Sequence, residues 1–406
     1  MDLLRVLPRI DRAKFQVDVW TFQETGELAG RMSAAGIRVI APDPSNPTAA
    51  APPPGGAATQ RLRALARLLG KAAAGARLLR AGNYDVVHAV LPSSYLIAVL
   101  ASAMALRGRV LMSRLSQNWY QANHPLFGFI ERQMLHRMAS AAIGNAFGIV
   151  DELRAEGIRD DKLSLLRNGL DVGQFDASLV DRDTARQQLL LPRQALVLSA
   201  VANLHRYKGY DDLIGALSLA APRLPDEWYL LIAGSDRDGN LARLQEVARL
   251  QGLERNIRFL GPRSDISLIL SAADLHVTAS HSEGLPNNII EAMFARLPVI
   301  GTAVGGIPEL VEDGETGLLV AARDHEALSR AIVDLARARD RRTAMGLAGR
   351  AVAETSFDVR RTVTELSAIY EDLALSHREN RPYRSRQDMA GRPQGLPGPD
   401  WRAGSE

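Results

Sequence analysis

The run Ser282-Glu283-Gly284-Leu285-Pro286-Asn287-Asn288-Ile289-Ile290-Glu291-Ala292-Met293 decides how the rest of the chain is read. Two carboxylates stand eight positions apart, around a turn that leads straight into a helix. Pro286 suits the first helical position, where its missing N–H costs nothing. Glu283 then lies just before the helix and Glu291 in its second turn, five residues after the proline. Between them the first backbone N–H groups are unpaired and carry partial positive charge, which makes an anion site. An acid on each side of an anion pocket suits a ligand with hydroxyls at both ends and phosphate in the middle. A nucleotide sugar fits that description. The plainer reading is a strand–loop–helix crossover with solvated glutamates.

Around this run, short β-rich stretches alternate with helical ones, the pattern of α/β domains with parallel sheets. Strands are predicted at 15–22, 38–40, 86–90, 110–113, 141–143 and 163–166 in the first half. In the second half they fall at 196–202, 229–233, 257–260, 275–278, 299–301 and 317–320. Around Asn168-Gly169-Leu170-Asp171 and the polar stretch to Pro192 one series stops and another starts. The chain of 406 residues exceeds one compact core, so two domains are expected, over 1–172 and 173–375. Residues 42–59, rich in Pro, Ala and Gly, are expected to form a mobile loop. Residues 376–406 are expected to form a disordered tail, since the stretch from 381 holds four prolines and four glycines and few apolar residues.

Hydrophobic residues at 46% and charged residues at 23% describe an ordinary globular protein. The net charge is +3 and the isoelectric point about 9.3, a mildly basic balance that does not argue for nucleic acid. Cysteine is absent, which excludes disulfides and thiolate chemistry. No apolar run approaches the roughly 18–20 residues of a membrane span, and the opening Met1-Asp2-Leu3-Leu4-Arg5 does not read as a signal peptide. The expected location is the cytoplasm, with peripheral attachment at the inner face of the cell membrane as an open variant.

The two glutamates, followed by Pro298-Val299-Ile300-Gly301-Thr302-Ala303-Val304-Gly305-Gly306-Ile307-Pro308-Glu309, resemble the donor-site signature of retaining glycosyltransferase family 4, the glycosyl transferases group 1. The resemblance implies a GT-B fold, two Rossmann-like doubly wound domains facing a cleft, acceptor side first and donor side second. It implies transfer of a hexose from a nucleoside-diphosphate sugar to a saccharide or lipid-linked acceptor, in surface polysaccharide or glycolipid synthesis, with no cofactor and no metal. Relatives begin with a strand, a Gly-Gly-Ala-Glu-like loop and a helix. Here Leu3, Leu4 and Leu7 with Pro8-Arg9-Ile10-Asp11 look like the end of that helix. The expectation is that Met1 is an incorrect or truncated start. The first sheet would then lack its central strand, leaving neighbours about 10 Å apart. A genuinely shorter family member is the alternative.

Val201-Ala202-Asn203-Leu204-His205-Arg206-Tyr207-Lys208-Gly209 resembles the family's Gly-Arg-Leu…Lys-Gly segment, whose Arg and Lys grip the donor diphosphate. Lys208 matches the lysine and Asn203 occupies the arginine position, so Arg206 is expected to supply the missing charge. Breaking a glycosidic bond to a nucleoside diphosphate leaves negative charge on the phosphate and oxocarbenium character on the sugar. Fixed donors aimed at that charge are the strongest lever available. By the resemblance, Glu283 and Lys208 carry catalysis, Glu283 by gripping hydroxyls of the transferred sugar. Glu291 accepts from two ribose hydroxyls. Gly284, Leu285, Pro286 and Asn287 offer amides, and Arg263 in Gly261-Pro262-Arg263 lies in a loop resembling the one that holds the base. A front-face retaining route needs no protein nucleophile. Ile307-Pro308-Glu309 after Gly305-Gly306 is read as a tight turn or a further ligand contact.

On the acceptor side, Asp85-Val86-Val87-His88 resembles the family's Asp-Val-Val-His strand, and Arg114 stands where relatives carry a histidine. His88 is expected near the cleft or as a structural histidine, and Arg114 as a partner for an anionic acceptor. Leu62, Leu65, Leu69, Ala72, Ala76 and Leu79 make 61–80 an amphipathic helix. Its other face holds Arg61, Arg63, Arg67, Lys71, Arg77 and Arg80 without an acid. Packing against the sheet with a solvated basic face, and contact with anionic lipid, are both open. The triplets Asp181-Arg182-Asp183 and Asp236-Arg237-Asp238 lack the accompanying ligands of a metal site. Two rivals remain, a catalytically inactive nucleotide-sugar-binding or scaffold protein and a GT-B nucleotide-sugar epimerase.

Overall fold

The computed structural model describes residues 3–22, 27–41, 57–118, 121 and 124–385. Twelve strands occur among them, one for each predicted: β1 (Asp18–Trp20), β2 (Arg38–Ile40), β3 (Val86–Ala89), β4 (Arg109–Arg114), β5 (Ala141–Gly144), β6 (Leu163–Leu165), β7 (Leu196–Val201), β8 (Trp228–Ala233), β9 (Ile257–Phe259), β10 (Leu275–Thr278), β11 (Val299–Thr302) and β12 (Gly317–Val320). All their pairings are parallel.

In the second unit, Leu170–Asp358, six strands run in the order β12-β11-β10-β7-β8-β9. Counted from β7 this is the Rossmann order, reversing direction between β7 and β10. Helices cover both faces, which is why Leu196–Ala200 are all buried rather than alternating. Leu198, Leu230 and Val277 of the sheet pack with Leu213 and Leu217 of helix Tyr210–Ala220 and Ile332 of helix His325–Arg337. The strand-order reversal leaves a crevice at the carboxyl ends of β7 and β10.

The first unit joins the described residues up to Gly169 with those from Val359 onward. This departs from the expected division at 172/173. The chain returns after Asp358, because helix Val359–Arg378 buries Val359, Leu366, Ile369, Tyr370 and Leu373 in the same core as Leu111, Ile143 and Leu166. Residues 376–385, expected in the tail, are ordered too. Tyr383 is buried in that core and the Ser385 N–H donates to the Asp161 carbonyl at 2.7 Å. The rest of the expected tail lies outside the described residues. So does most of the expected loop at 42–59, whose last residues already belong to helix Ala57–Gly82.

The strands of the first unit form two sheets, β1-β2 and β3-β4-β5-β6. Among the described residues no strand joins them. The Tyr84 hydroxyl donates to Asp18 across the two, and Val19 and Val86 pack on one core. Helix Ala57–Gly82 differs from the expectation of one packed apolar stripe. Ala72, Ala76 and Leu79 are buried, whereas Leu62, Leu65 and Leu69 are 68%, 51% and 49% exposed. The helix has 26 residues, about 39 Å at 1.5 Å per residue, and only its second half meets Ala101 and Ala105 of helix Pro92–Ala105.

Candidate active site

The loop after β7 and the loop after β10 each bring one of the expected catalytic residues to the crevice. Lys208 ends a short 3-10 turn, Arg206–Lys208, held by the Lys208 N–H on the His205 carbonyl at 3.0 Å. Gly209 follows at φ +65, and a Cβ there would lie 1.8 Å from the Ala279 carbonyl oxygen. Only glycine lets the two loops approach so closely. Across this contact Lys208 Nζ donates to Glu283 Oε1 at 2.6 Å, with side chains 15% and 8% exposed. Ser280 Oγ donates to the same oxygen at 2.7 Å. Glu283 is therefore fixed by two donors before any ligand arrives.

The loop after β11 supports Glu283 from behind. Gly305, at φ +53, lies so close that a Cβ would sit 1.9 Å from the Glu283 carbonyl oxygen. The Gly306 N–H donates to the Gly284 carbonyl at 2.8 Å. The Gly-Gly-Ile-Pro-Glu turn thus acts on the backbone of the Glu283 loop, and none of its residues lines the cavity.

Helix Asn287–Phe294 starts one residue later than expected, with Pro286 at its cap in extended conformation. Glu291 remains in the second turn. Beneath the first turn runs a buried chain. Asn288 Nδ2 lies 3.2 Å from His276 Nε2 and 3.1 Å from Thr278 Oγ1, and His276 Nδ1 lies 3.1 Å from Ser199 Oγ. An amide nitrogen can only donate, so Nε2 accepts and the His276 proton sits on Nδ1. Burial pushes the His276 imidazole down to about 3, which keeps it neutral. This chain ties the helix start to β7 and β10.

These elements enclose a polar cavity of about 400 Å³ lined by Val201, Ala202, Asn203, His205, Tyr207, Lys208, Glu283, Leu285, Pro286, Asn287, Asn288 and Glu291. Of the expected donor residues it gathers Asn203, Lys208, Glu283, Leu285, Pro286, Asn287 and Glu291. Gly284 contributes its carbonyl to Gly306 instead. Arg206 is exposed and does not line the cavity. Arg263 forms a forked pair with Asp265 at 2.8 and 2.5 Å, while its neighbours Gly261 and Pro262 line a smaller cavity of about 80 Å³ with Gly234 and Asp236. Asn203 has a structural task as well, since its Oδ1 accepts from the Ser235 N–H at 3.1 Å. Sequence reasoning missed Ser280, His205, Tyr207 and the His276 chain. A histidine between apolar residues of a strand was the available signal for the last.

In the first unit the expectation for Arg114 needs correcting. Its guanidinium is 5% exposed and committed to Glu156 at 2.6 and 2.8 Å and to Glu131 at 3.2 Å. Glu131 is carried inward by a π-helical turn, Glu131–Leu135, and Gln121 and His136 complete the cluster. Burial pushes Glu156 up, but hydrogen bonds from His136 and Arg114 outweigh it and hold the carboxyl at about 2. A residue so engaged has no donor face left for an anionic acceptor. His88 is held at both nitrogens, Nδ1 by the Tyr370 hydroxyl at 2.8 Å and Nε2 by Ser113 Oγ at 2.7 Å. Its surroundings suit a structural histidine, with burial pushing it down to about 4.

The aspartate triplets also have structural roles. Asp181 caps helix Arg182–Gln188 through the Thr184 N–H, and Asp236 accepts from the N–H groups of Asn240 and Leu241. Asp183 pairs with Arg193 and Asp238 with His205. Among the described residues no group of three or more His, Cys, Asp or Glu is arranged around a metal position.

A polar cavity at a helix start, beside the strand-order reversal of a doubly wound sheet, is where α/β domains of this kind bind their ligands. Residues 181–352 match the family described as Glycosyl transferases group 1, and residues 3–169 the Glycosyl transferase 4-like domain. The D-inositol 3-phosphate glycosyltransferase of Actinosynnema mirum is 31% identical over 306 residues, 71% of this chain and 72% of that protein. The protein of that name from Corynebacterium kroppenstedtii is 31% identical over 57% of this chain, which spans 52% of its length. Anabaena Alr3699/HepE, solved in complex with UDP-glucose, shares the fold with a TM-score of 0.73 over 90% of this chain and 93% of that one, at 21% identity. The chain belongs to the glycosyl transferases group 1, the family-4 type of GT-B glycosyltransferase.

Proposed function

We propose that this protein is a retaining hexosyltransferase that takes its sugar from a nucleoside diphosphate and passes it to a saccharide or lipid-linked acceptor. The observation that carries the reading is the shared cavity of Lys208, Glu283 and Glu291 at the start of helix Asn287–Phe294. In this reading the pyrophosphate lies against the helix start and Lys208, where amide dipoles and an ammonium meet the charge that develops on the leaving group. Glu291 accepts from the ribose hydroxyls. Glu283, already oriented by Ser280, takes hydroxyls of the sugar and fixes the anomeric carbon. Lys208 then shifts from its ion pair toward phosphate. The departing phosphate accepts the acceptor's proton, so retention needs no protein nucleophile. The names of the relatives, which include D-inositol 3-phosphate glycosyltransferases, favour a small polyol phosphate among the acceptors.

A cytoplasmic enzyme working at the inner membrane face is the setting we propose. Leu62, Leu65 and Leu69 stand exposed at three- and four-residue spacing on a helix that also carries Arg63, Arg67 and Lys71. Such a face suits insertion among anionic headgroups. Among the described residues no helix is long and apolar enough to cross a membrane. Flotation with phosphatidylglycerol vesicles tests this, and protein left in the lower fraction overturns it.

For the reaction, the decisive experiment is NMR of the product formed from α-linked UDP-, GDP- and ADP-hexoses with inositol phosphate, saccharide and lipid acceptors. An α-linked product supports retention, and a β-linked product rules it out. Donor binding without any product would favour an inactive binding protein. Asn203 in place of the family's arginine is the observation that keeps that second reading in view.

A further inference from the structure

The cavity has an electrostatic deficit for the ligand proposed. Its lining holds one lysine, Lys208, against two glutamates, Glu283 and Glu291, a formal charge of −1 facing a pyrophosphate dianion. Lys208 is moreover paired with Glu283. Asn203 brings no charge, and Arg206 and Arg263 lie outside the lining. One further ionisable nitrogen base is present. His205 lines the cavity, its ring stacked on Tyr207 at 5.4 Å with 10° between planes.

His205 Nδ1 lies 2.6 Å from Asp238 Oδ2. An ionised carboxylate only accepts, so Nδ1 carries a proton and the ring is oriented by the loop after β8. Nε2 has no hydrogen-bond partner among the described residues. The other titratable and charged groups around the ring are Arg206, Tyr207 and Lys208 of its own turn, Asp236 and Arg237 beside Asp238, and Glu283 and Glu291 across the cavity. We infer that His205 is the second cation for the donor diphosphate, taking up a proton on Nε2 as the donor binds and standing in for the arginine replaced by Asn203. This rests on the donor-pocket reading above. Nε2–H then donates to a phosphate oxygen, while Asp238 holds the ring and balances its charge. Donor affinity is thereby linked to pH, which a guanidinium at the same place would not produce.

The test is titration calorimetry of the full chain with UDP-, GDP- and ADP-glucose, whose pyrophosphate diesters do not titrate near neutrality. Measuring in buffers of different ionisation enthalpy counts protons. The expected result at pH 8 is net uptake of protons as the donor binds, with affinity at least about tenfold weaker than at pH 6. His205→Gln should abolish the uptake and flatten the pH dependence. His205→Arg should also abolish uptake, yet hold the affinity near the wild-type value at pH 6 across the range. Asp238→Asn should reduce the uptake without emptying the cavity. Binding by wild type with no proton exchange, or uptake that survives in both His205 variants, overturns the inference and leaves the donor pocket standing. Failure of all three sugar nucleotides to bind wild type removes both.

Discussion

Replacing Gly305 by alanine tests how tightly the position of Glu283 controls the reaction. Two costs follow from the structure. At φ +53 an L-residue enters the left-handed region, at about 1–2 kcal/mol. The new methyl would also lie 1.9 Å from the Glu283 carbonyl oxygen, where contacts under 3.0 Å are essentially never seen. One of the two backbones must therefore retreat by about 1 Å, and any retreat of the largely buried Glu283 loop displaces its carboxylate. A displacement of that size at a positioning residue costs about 100-fold in rate, or about 2.7 kcal/mol of barrier. Gly314 is the control, since it has φ +82 with nothing within 4 Å of its Cβ position. The assay is kcat/KM for transfer, or for donor hydrolysis, alongside Tm. Gly314→Ala should lose about 1 kcal/mol of stability and keep its rate. Gly305→Ala should lose at least as much stability and about 100-fold in kcat/KM. If Gly305→Ala behaves like Gly314→Ala, the loop contact does not set the geometry of Glu283 and the positioning argument is wrong.

Three further outcomes are expected. Lys208→Met and Glu283→Gln should each weaken donor affinity and stability, and the double-mutant cycle in the free protein should show coupling of about 1–3 kcal/mol, because the pair is nearly buried. Additive effects would mean the pair is not formed in solution. His276, at about 3 in the folded protein against 6.5 unfolded, takes up its proton only in the unfolded chain as pH falls below 6.5. Stability should therefore drop on acidification, by about 3 kcal/mol at pH 4 from this group. In His276→Gln the slope of Tm against pH should flatten over that window, and an unchanged slope would contradict the neutral buried ring. Arg114→Met strands Glu131 and Glu156 in the interior and should cost about 3–5 kcal/mol. Because the cluster lies in the first unit, nucleotide affinity should be unaffected, and a selective loss of affinity at full stability would show that Arg114 acts on the ligand.

The second unit was legible because its signals are local. Strand periodicity and the Pro-Asn start of helix Asn287–Phe294 act over a few residues, whereas the glycines at 209 and 305 are visible in the sequence but their contacts, with Ala279 and Glu283, are long-range. That Lys208 and Glu283 serve one site followed from the resemblance; their ion pair did not, since it depends on the long-range Gly209–Ala279 approach. Arg206 was misplaced for a simple reason. In a 3-10 turn of three residues, neighbours point in different directions, so His205 and Lys208 face the cavity while Arg206 faces solvent. Arg114 could not be assigned from sequence, because its partners Glu131 and Glu156 lie on separate segments and meet it only after folding. The return of helix Val359–Arg378 to the first unit was equally hidden. Its apolar stripe says that it packs, but not against which core.

The central claim is that Lys208, Glu283 and Glu291 line one pocket for a sugar carried on pyrophosphate. Thermal unfolding of wild type, Lys208→Met and Glu291→Ala with UDP-, GDP- and ADP-sugars tests it most directly. At about 100 times Kd a ligand of the native state adds about 2.7 kcal/mol of stability, so one base should raise the wild-type Tm by several degrees and both variants should lose most of the rise. No shift with any sugar nucleotide, or a shift equally large in both variants, would contradict it.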